Sequence, residues 1–331
     1  LPFARGVKGQ GAAMTSPADW SHTLRGTLRG FRIFPMNLAE HPNVRALMEL
    51  ATREDLGCGD LTSTLMPNPS RSATFALIAK QAGTFAGRDI APTILHAFDP
   101  AIEILWTDFC SDGRAIDRVP AELAELCGPL SSILAAERTL LNFLQRLCGV
   151  ATCTRAFVDA VAGTGAKIYD TRKTIPGWRV LDRYAVRCGG GCNHRDGLHD
   201  AVLVKDNHLV GVPRERLAHA VFEMLNRLAS SGAKPSFVEV EADSLEQFEE
   251  LLKVVGIDVI LLDNFTVDEL RAAVELREDG GLAGKVALEA SGGVTLETVR
   301  VIAETGVERI SIGSLTHSAG AIDLSLERRE C

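Results

Sequence analysis

Apolar residues at Val44, Leu47, Met48, Leu50 and Ala51 recur at helical spacing and stop at Leu56-Gly57, which predicts an amphipathic helix after His41. Between Ala73 and Asp108 the pattern becomes strand-like, with apolar runs at Thr74–Ala79 and Ile102–Trp106 punctuated by Gly83, Gly87 and Pro100. A long helix follows. Ser131 or Ser132 can cap it, Ile133, Leu134, Leu140, Leu141, Leu144, Leu147 and Cys148 form its apolar face, and it carries Arg138 and Arg146. Strands and helices mix here without a repeat, so residues 38–150 read as a small α+β domain.

From Lys167 the rhythm changes. Short apolar runs fall at Lys167–Thr171, Ala201–Lys205, Phe237–Glu241, Asp258–Asp263, Val286–Ser291 and Arg309–Gly313, most of them separated by helical patterns. Ser244-Leu245-Glu246-Gln247 and Thr266-Val267-Asp268-Glu269 are capping boxes, each just after a strand. Strand, polar loop, capped helix and strand again is the pattern of parallel βαβ units, here over residues 151–317. Six such strands suit a closed or nearly closed α/β barrel better than a doubly wound sheet. Residues 318–331 are expected to pack back onto the first domain. Residues 1–37 lack periodicity and read as an unstructured tail: a targeting peptide, a cloning remnant, or sequence that a mis-called start codon places ahead of Met14 or Met36.

Composition narrows the partners. The 331 residues are 46% apolar and 24% charged, with a net charge of −8. An acidic chain is a poor match for nucleic acid, and no apolar run approaches the ~20 residues that span a bilayer. The eight cysteines follow no stapled spacing, which predicts reduced, buried thiols in a cytoplasmic protein. Cys188, Cys192, His194 and His199 come nearest to a zinc set, and their spacing fits no common structural zinc pattern.

Every barrel run ends in functional side chains: Asp170-Thr171-Arg172-Lys173, Lys205-Asp206-Asn207-His208, Glu239 with Glu241, Asp263-Asn264, Glu289-Ala290-Ser291 and Gly313-Ser314. One Asp at a strand end is usually a helix cap, but six loaded ends in succession point to the active face of a barrel. Arg172, Lys173, His194, Arg195 and Lys205 form a basic group, which in an acidic protein implies an anion bearing carboxylates or phosphates. Glu241 and Asp263 form an acidic group suited to acid–base work, to a metal, or to stabilising a developing cation. Ser291-Gly292-Gly293 leads into a helix expected at Thr295, and Gly313-Ser314 follows one strand later, where barrels commonly hold a phosphate. The residues alone therefore give a barrel enzyme binding a phosphorylated substrate beside a second anion.

The motifs Tyr169-Asp170-Thr171-Arg172-Lys173-Thr174, Gly189-Gly190-Gly191-Cys192-Asn193-His194-Arg195, Lys205-Asp206-Asn207-His208, Val238-Glu239-Val240-Glu241, Leu261-Leu262-Asp263-Asn264, Glu289-Ala290-Ser291-Gly292-Gly293 and Gly313-Ser314-Leu315-Thr316-His317 resemble, in order, those of the quinolinate phosphoribosyltransferases. Glu54-Asp55-Leu56-Gly57, Gly59-Asp60-Leu61-Thr62 and Glu137-Arg138 extend the resemblance over roughly residues 40–330. It implies an N-terminal α/β sandwich domain, an incomplete α/β barrel and assembly at least as a homodimer. It also implies quinolinate and phosphoribosyl pyrophosphate as substrates and Mg2+ as cofactor, with nicotinate mononucleotide, pyrophosphate and carbon dioxide as products. By that resemblance Arg138 (from the neighbouring subunit), Thr171, Arg172, His194, Arg195 and Lys205 hold quinolinate. Lys173 lies between the substrates, Glu241 and Asp263 face the ribose and its magnesium, directly or indirectly, and Ser291, Gly292, Gly293, Gly313 and His317 surround the 5′-phosphate.

Three other readings stay open at this point. A relative of the same fold could take nicotinate or another base. A phosphosugar-binding scaffold would keep the glycine loops but have little use for Lys173, Glu241 and Asp263 together. An aldolase or isomerase barrel would use Lys173 or Lys205 as a Schiff base.

Overall fold

The computed structural model describes residues 38–329; the expectations for residues 1–37, and for the final two of the segment thought to pack back, lie outside the described residues. Pro42–Leu56 forms the first expected helix, capped by the His41 imidazole and ended by Gly57 at φ 53°. Strands Ser72–Ala79, Glu103–Trp106, Ala121–Pro129 and Leu324–Arg328 make an antiparallel sheet in the order 324–328, 72–79, 121–129, 103–106. The C-terminal strand thus closes one edge of the N-terminal sheet.

Leu130–Ala160 is a 31-residue helix that touches this sheet and then continues into the second domain, against the strand Lys167–Tyr169. Its start corrects the sequence reading. The preceding strand runs straight into the helix, so Pro129 occupies the cap position with no side-chain bond, and the Ser132 hydroxyl donates to Asp99 Oδ2 at 2.5 Å instead.

The six expected barrel strands form one all-parallel sheet: Lys167–Tyr169, Val202–Val204, Val238–Ala242, Val259–Asp263, Ala287–Ser291 and Arg309–Ser311. In space the last strand pairs with the first, while the first and second do not pair, so the barrel is incomplete between them. The Gly189–Cys192 turn enters beside that gap: Cys192 bridges Tyr169 in parallel, donating to Ile168 O at 2.7 Å and accepting from Asp170 N at 3.0 Å. Thr266 and Glu269 form the full expected capping box. Ser244 makes only half of one, because Gln247 Oε1 turns to the Asp243 amide.

Alternate strand residues face opposite ways. Val238, Val240, Ala242, Ile260, Leu262, Leu288, Ala290 and Ile310 belong to the main core that packs under the helices. Glu239, Glu241, Leu261, Asp263, Glu289, Ser291, Arg309 and Ser311 are left to line the interior. No helix among the described residues is long and apolar enough to cross a membrane.

Candidate active site

The interior is layered along the strand direction. At the strand starts, Ala201, Phe237 and Val259, with Ala287 packed against them, make a small apolar floor. Two residues further on comes a buried charged layer. Arg309 Nε donates to Glu289 Oε2 at 2.5 Å, and its guanidinium lies 4.2 Å over the Tyr169 ring and 5.2 Å from the Phe237 ring centre. His194 Nε2 lies 2.9 Å from Glu239 Oε2 and 3.3 Å from Glu289 Oε1. Burial raises the Glu239 carboxyl and neighbouring Glu289 adds to the rise. Glu289 goes the other way: burial opposes its charge, but His194 and Arg309 outweigh burial and hold it ionised.

His194 therefore differs from expectation. Its Nδ1 accepts the Arg195 peptide N–H at 2.7 Å, while Nε2 faces the chain's own carboxylates. Both ring nitrogens are committed, and the ring is buried. Burial works against a charged ring while Glu289 and Glu239 favour one. A ring that accepts at Nδ1 carries its single proton on Nε2, so in this geometry His194 is the neutral tautomer with its N–H toward those carboxylates. His194 thus reaches the site through the Arg195 backbone and not as a free donor to a ligand. The turn is fixed further by Asp170, which accepts from His194 N at 2.7 Å and Asn193 Nδ2 at 2.6 Å, and by Arg183, which donates to the carbonyls of His194 and Arg195.

Arg195 is buried, and apart from a 3.4 Å bond to Ala201 O its guanidinium has no partner among the described residues. Burial lowers its pKa and the nearby Arg172 guanidinium lowers it further, with Glu239 and Asp200 opposing in part. Two guanidiniums that feel each other's charge favour an anion between them. Arg172 and Lys173 are exposed and have no ion pair among the described residues. Thr171 Oγ1 accepts Lys173 N at 3.1 Å, fixing the turn that carries both cations. Lys205 is already paired, Nζ to Glu241 Oε2 at 2.8 Å.

At the mouth, Glu241, Asp243 and Asp263 offer carboxylate oxygens within 4.8 Å of one another. Asp243 escaped the sequence reading, since it looked like a loop residue before the Ser244 cap; its i+2 spacing from Glu241 was the available signal. Burial raises Asp263; Lys205 and Lys173 oppose the rise, while Asp243 and Asp206 add to it. Those five side chains therefore share one electrostatic neighbourhood.

The glycine loops adjoin this group. Asp263 is in register with Ser291, and Ser291 with Ser311, on adjacent strands. Gly292 and Gly293 have φ of 98° and 60°, conformations that side chains rarely adopt. The helix expected at Thr295 begins at Val299, because Thr298 Oγ1 accepts the Thr295 amide and holds a turn first. A Cβ on Gly313 would sit 3.1 Å from both His317 Nε2 and Lys173 Cδ, so these two side chains converge there. Thr316 Oγ1 donates to Lys173 O at 2.9 Å.

Arg138 stands apart. It is exposed on the long helix, and no hydrogen bond or ion pair joins it to the barrel residues among those described. Cys188 and Cys192 belong to neither acidic or histidine cluster that fits a metal among the described residues.

Comparison with known proteins gives a consistent result. Residues 60–148 match the model of the quinolinate phosphoribosyl transferase N-terminal domain, and residues 150–327 match that of its C-terminal domain. The chain is 39% identical to a carboxylating nicotinate-nucleotide pyrophosphorylase of Mycobacterium leprae, over 87% of this chain and 98% of that one. It is 36% identical to a probable enzyme of the same name from Bacillus subtilis, over 87% and 94% of the two chains. The solved nicotinate-nucleotide pyrophosphorylase of Francisella tularensis superimposes with a TM-score of 0.77 at 38% identity, covering 88% of this chain and 99% of that one.

Proposed function

The chain belongs to the quinolinate phosphoribosyltransferase family, and from that premise we propose how its own residues carry out the reaction. It is a pentosyltransferase that moves phosphoribosyl from phosphoribosyl pyrophosphate to quinolinate, releasing pyrophosphate and carbon dioxide and forming nicotinate mononucleotide for de novo NAD synthesis. The observation that carries the assignment of substrate to site is the buried Arg195 guanidinium, which lies near Arg172 and has no ion pair among the described residues. Glu239 and Asp200 offset only part of the cost of burying this charge beside Arg172, and a dicarboxylate supplies the further countercharge.

In this reading Arg195, Arg172 and the Thr171 hydroxyl hold the quinolinate carboxylates and aim the ring nitrogen at the anomeric carbon, which lowers the entropic barrier. Lys205 contributes once it exchanges Glu241 for a substrate carboxylate. His194 holds the Arg195 peptide. Lys173, beside Gly313 and His317, meets the donor's phosphates. The Ser291-Gly292-Gly293 turn and Gly313 approach the 5′-phosphate with backbone. As pyrophosphate leaves, positive charge on the ribose faces Glu241 and Asp263. The positive charge on the alkylated ring nitrogen then stabilises the electron pair that stays on the adjacent ring carbon when its carboxylate departs as carbon dioxide, and that pair takes up a proton to form the new C–H bond.

Glu241, Asp243 and Asp263 fit Mg2+, a cation that prefers oxygen ligands and combines one or two carboxylates with phosphate oxygens. Bound there, it would offset the charge of the departing pyrophosphate. A homodimer with shared sites belongs to the same proposal: Arg138 is exposed and bonded to none of the barrel residues among those described, which suits a role in another subunit's site. So does a cytoplasmic location, supported by the free thiols of the described cysteines. Steady-state turnover with quinolinate against nicotinate tests the substrate assignment: a strong preference for quinolinate supports it, and a preference for nicotinate refutes it.

A further inference from the structure

Asn264 follows Asp263 at the end of its strand and is the only non-glycine residue with positive φ, 57°, among those described. Its side chain faces two parts of the site. Nδ2 donates to Asp263 Oδ2 at 2.7 Å, and Oδ1 lies over Gly292, where a Cβ would come within 2.1 Å of it. Its peptide N–H donates to Ser291 O at 2.9 Å. Asn264 therefore touches the carboxylate that faces the ribose and both leading residues of the glycine turn.

A left-handed backbone alone would favour glycine, which adopts it without steric cost. Asparagine tolerates this region and adds an amide that glycine lacks. The amide orientation follows from chemistry, since the N–H end must face the Asp263 carboxylate. Gly292 in turn is bare where the amide oxygen lies: any side chain there would collide with Asn264.

We propose that Asn264 is a positioning residue for the phosphoribosyl donor, holding the Asp263 carboxylate and the Ser291-Gly292-Gly293 turn in one fixed relation. The ribose and the 5′-phosphate are then recognised as a single unit, and the quinolinate side is untouched. This rests on the functional reading above.

The test is Asn264→Gly, which keeps the backbone conformation and removes the amide. Its melting temperature should stay close to the parent's. The KM for phosphoribosyl pyrophosphate should rise about tenfold and kcat should fall, by analogy with the cost of a small misplacement in an active site, while the KM for quinolinate stays within about twofold. Calorimetric binding of ribose 5-phosphate, without magnesium or quinolinate, should weaken in parallel. Asn264→Asp, which sets a second carboxylate against Asp263, should weaken donor binding as well. Unchanged donor KM and ribose 5-phosphate binding in Asn264→Gly, or an equal rise in both substrate KM values, overturns the proposal alone. A parent enzyme that neither turns over quinolinate nor binds ribose 5-phosphate overturns the functional reading and this proposal with it.

Discussion

Lys205 and Glu241 are ion-paired across adjacent barrel strands, Nζ to Oε2 at 2.8 Å, so the basic and acidic halves of the site hold each other before substrate arrives. The pair is half-exposed on the lysine side, which makes exchange of partners inexpensive. Lys205→Met should raise the KM for quinolinate by about tenfold, one charge-assisted hydrogen bond's worth, and should barely change the melting temperature. An unchanged quinolinate KM would leave Lys205 as Glu241's partner only.

Arg138 tests the shared site. Co-expressing Arg138→Ala with Lys173→Ala should yield heterodimers in which one barrel keeps its own Lys173 and receives an intact Arg138 from the partner. Each variant alone should be nearly inactive, and the mixture should regain roughly one quarter of parental activity in a two-fold symmetric dimer. No regain over the separate variants would place Arg138 in its own subunit's chemistry or outside it.

Gly313 has φ −68°, which alanine tolerates, yet a Cβ would press on His317 and Lys173 at 3.1 Å. Gly313→Ala should therefore fold normally and lose donor affinity and turnover together, by about tenfold. Circular dichroism with donor-dependent kinetics separates this from misfolding.

Asp263 supplies the pH dependence. Burial raises its carboxyl above the usual carboxylate range, so it is protonated at a higher pH than a free aspartate. The ionised form is the one that faces cationic charge; activity should therefore fall as pH drops through this raised value. If magnesium binds there, it competes with the proton, and more magnesium should move the acid limb to lower pH. An acid limb indifferent to magnesium would argue against Asp263 as a ligand.

The Arg309–Glu289 pair is a folding element as well. Arg309→Met leaves Glu289 buried beside Glu239 without its cation, and removing one member of a buried pair typically costs about 3–5 kcal/mol. Denaturant unfolding should show that loss, and Arg309→Met combined with Glu289→Leu should recover part of it.

Much of this was legible in the chain because βα repeats are local. Each strand's apolar run and the polar residues at its tip are neighbours in sequence, so Arg172, Lys173, Glu241, Asp263 and Gly313 announced themselves at strand ends. What depends on register did not. Arg309 opens its strand and looked like the edge of an apolar run; only its pairing beside Glu289 makes it the counterion of a buried layer. His194 looked like one more mouth cation, and its burial between Glu239 and Glu289 comes from two separate strands and a turn meeting in space. Ser132 and Thr295 misled for a simpler reason: each has the right chemistry for a helix cap, and each helix begins elsewhere because the preceding backbone was already committed.

The central claim is a phosphoribosyl transfer coupled to loss of one quinolinate carboxylate. The most direct measurement follows quinolinate labelled in the carboxylate next to the ring nitrogen, incubated with phosphoribosyl pyrophosphate and magnesium. Labelled carbon dioxide and unlabelled nicotinate mononucleotide should appear in equal amounts and at one rate. Mononucleotide that keeps the label, or formation of mononucleotide from nicotinate but not from quinolinate, would contradict the account.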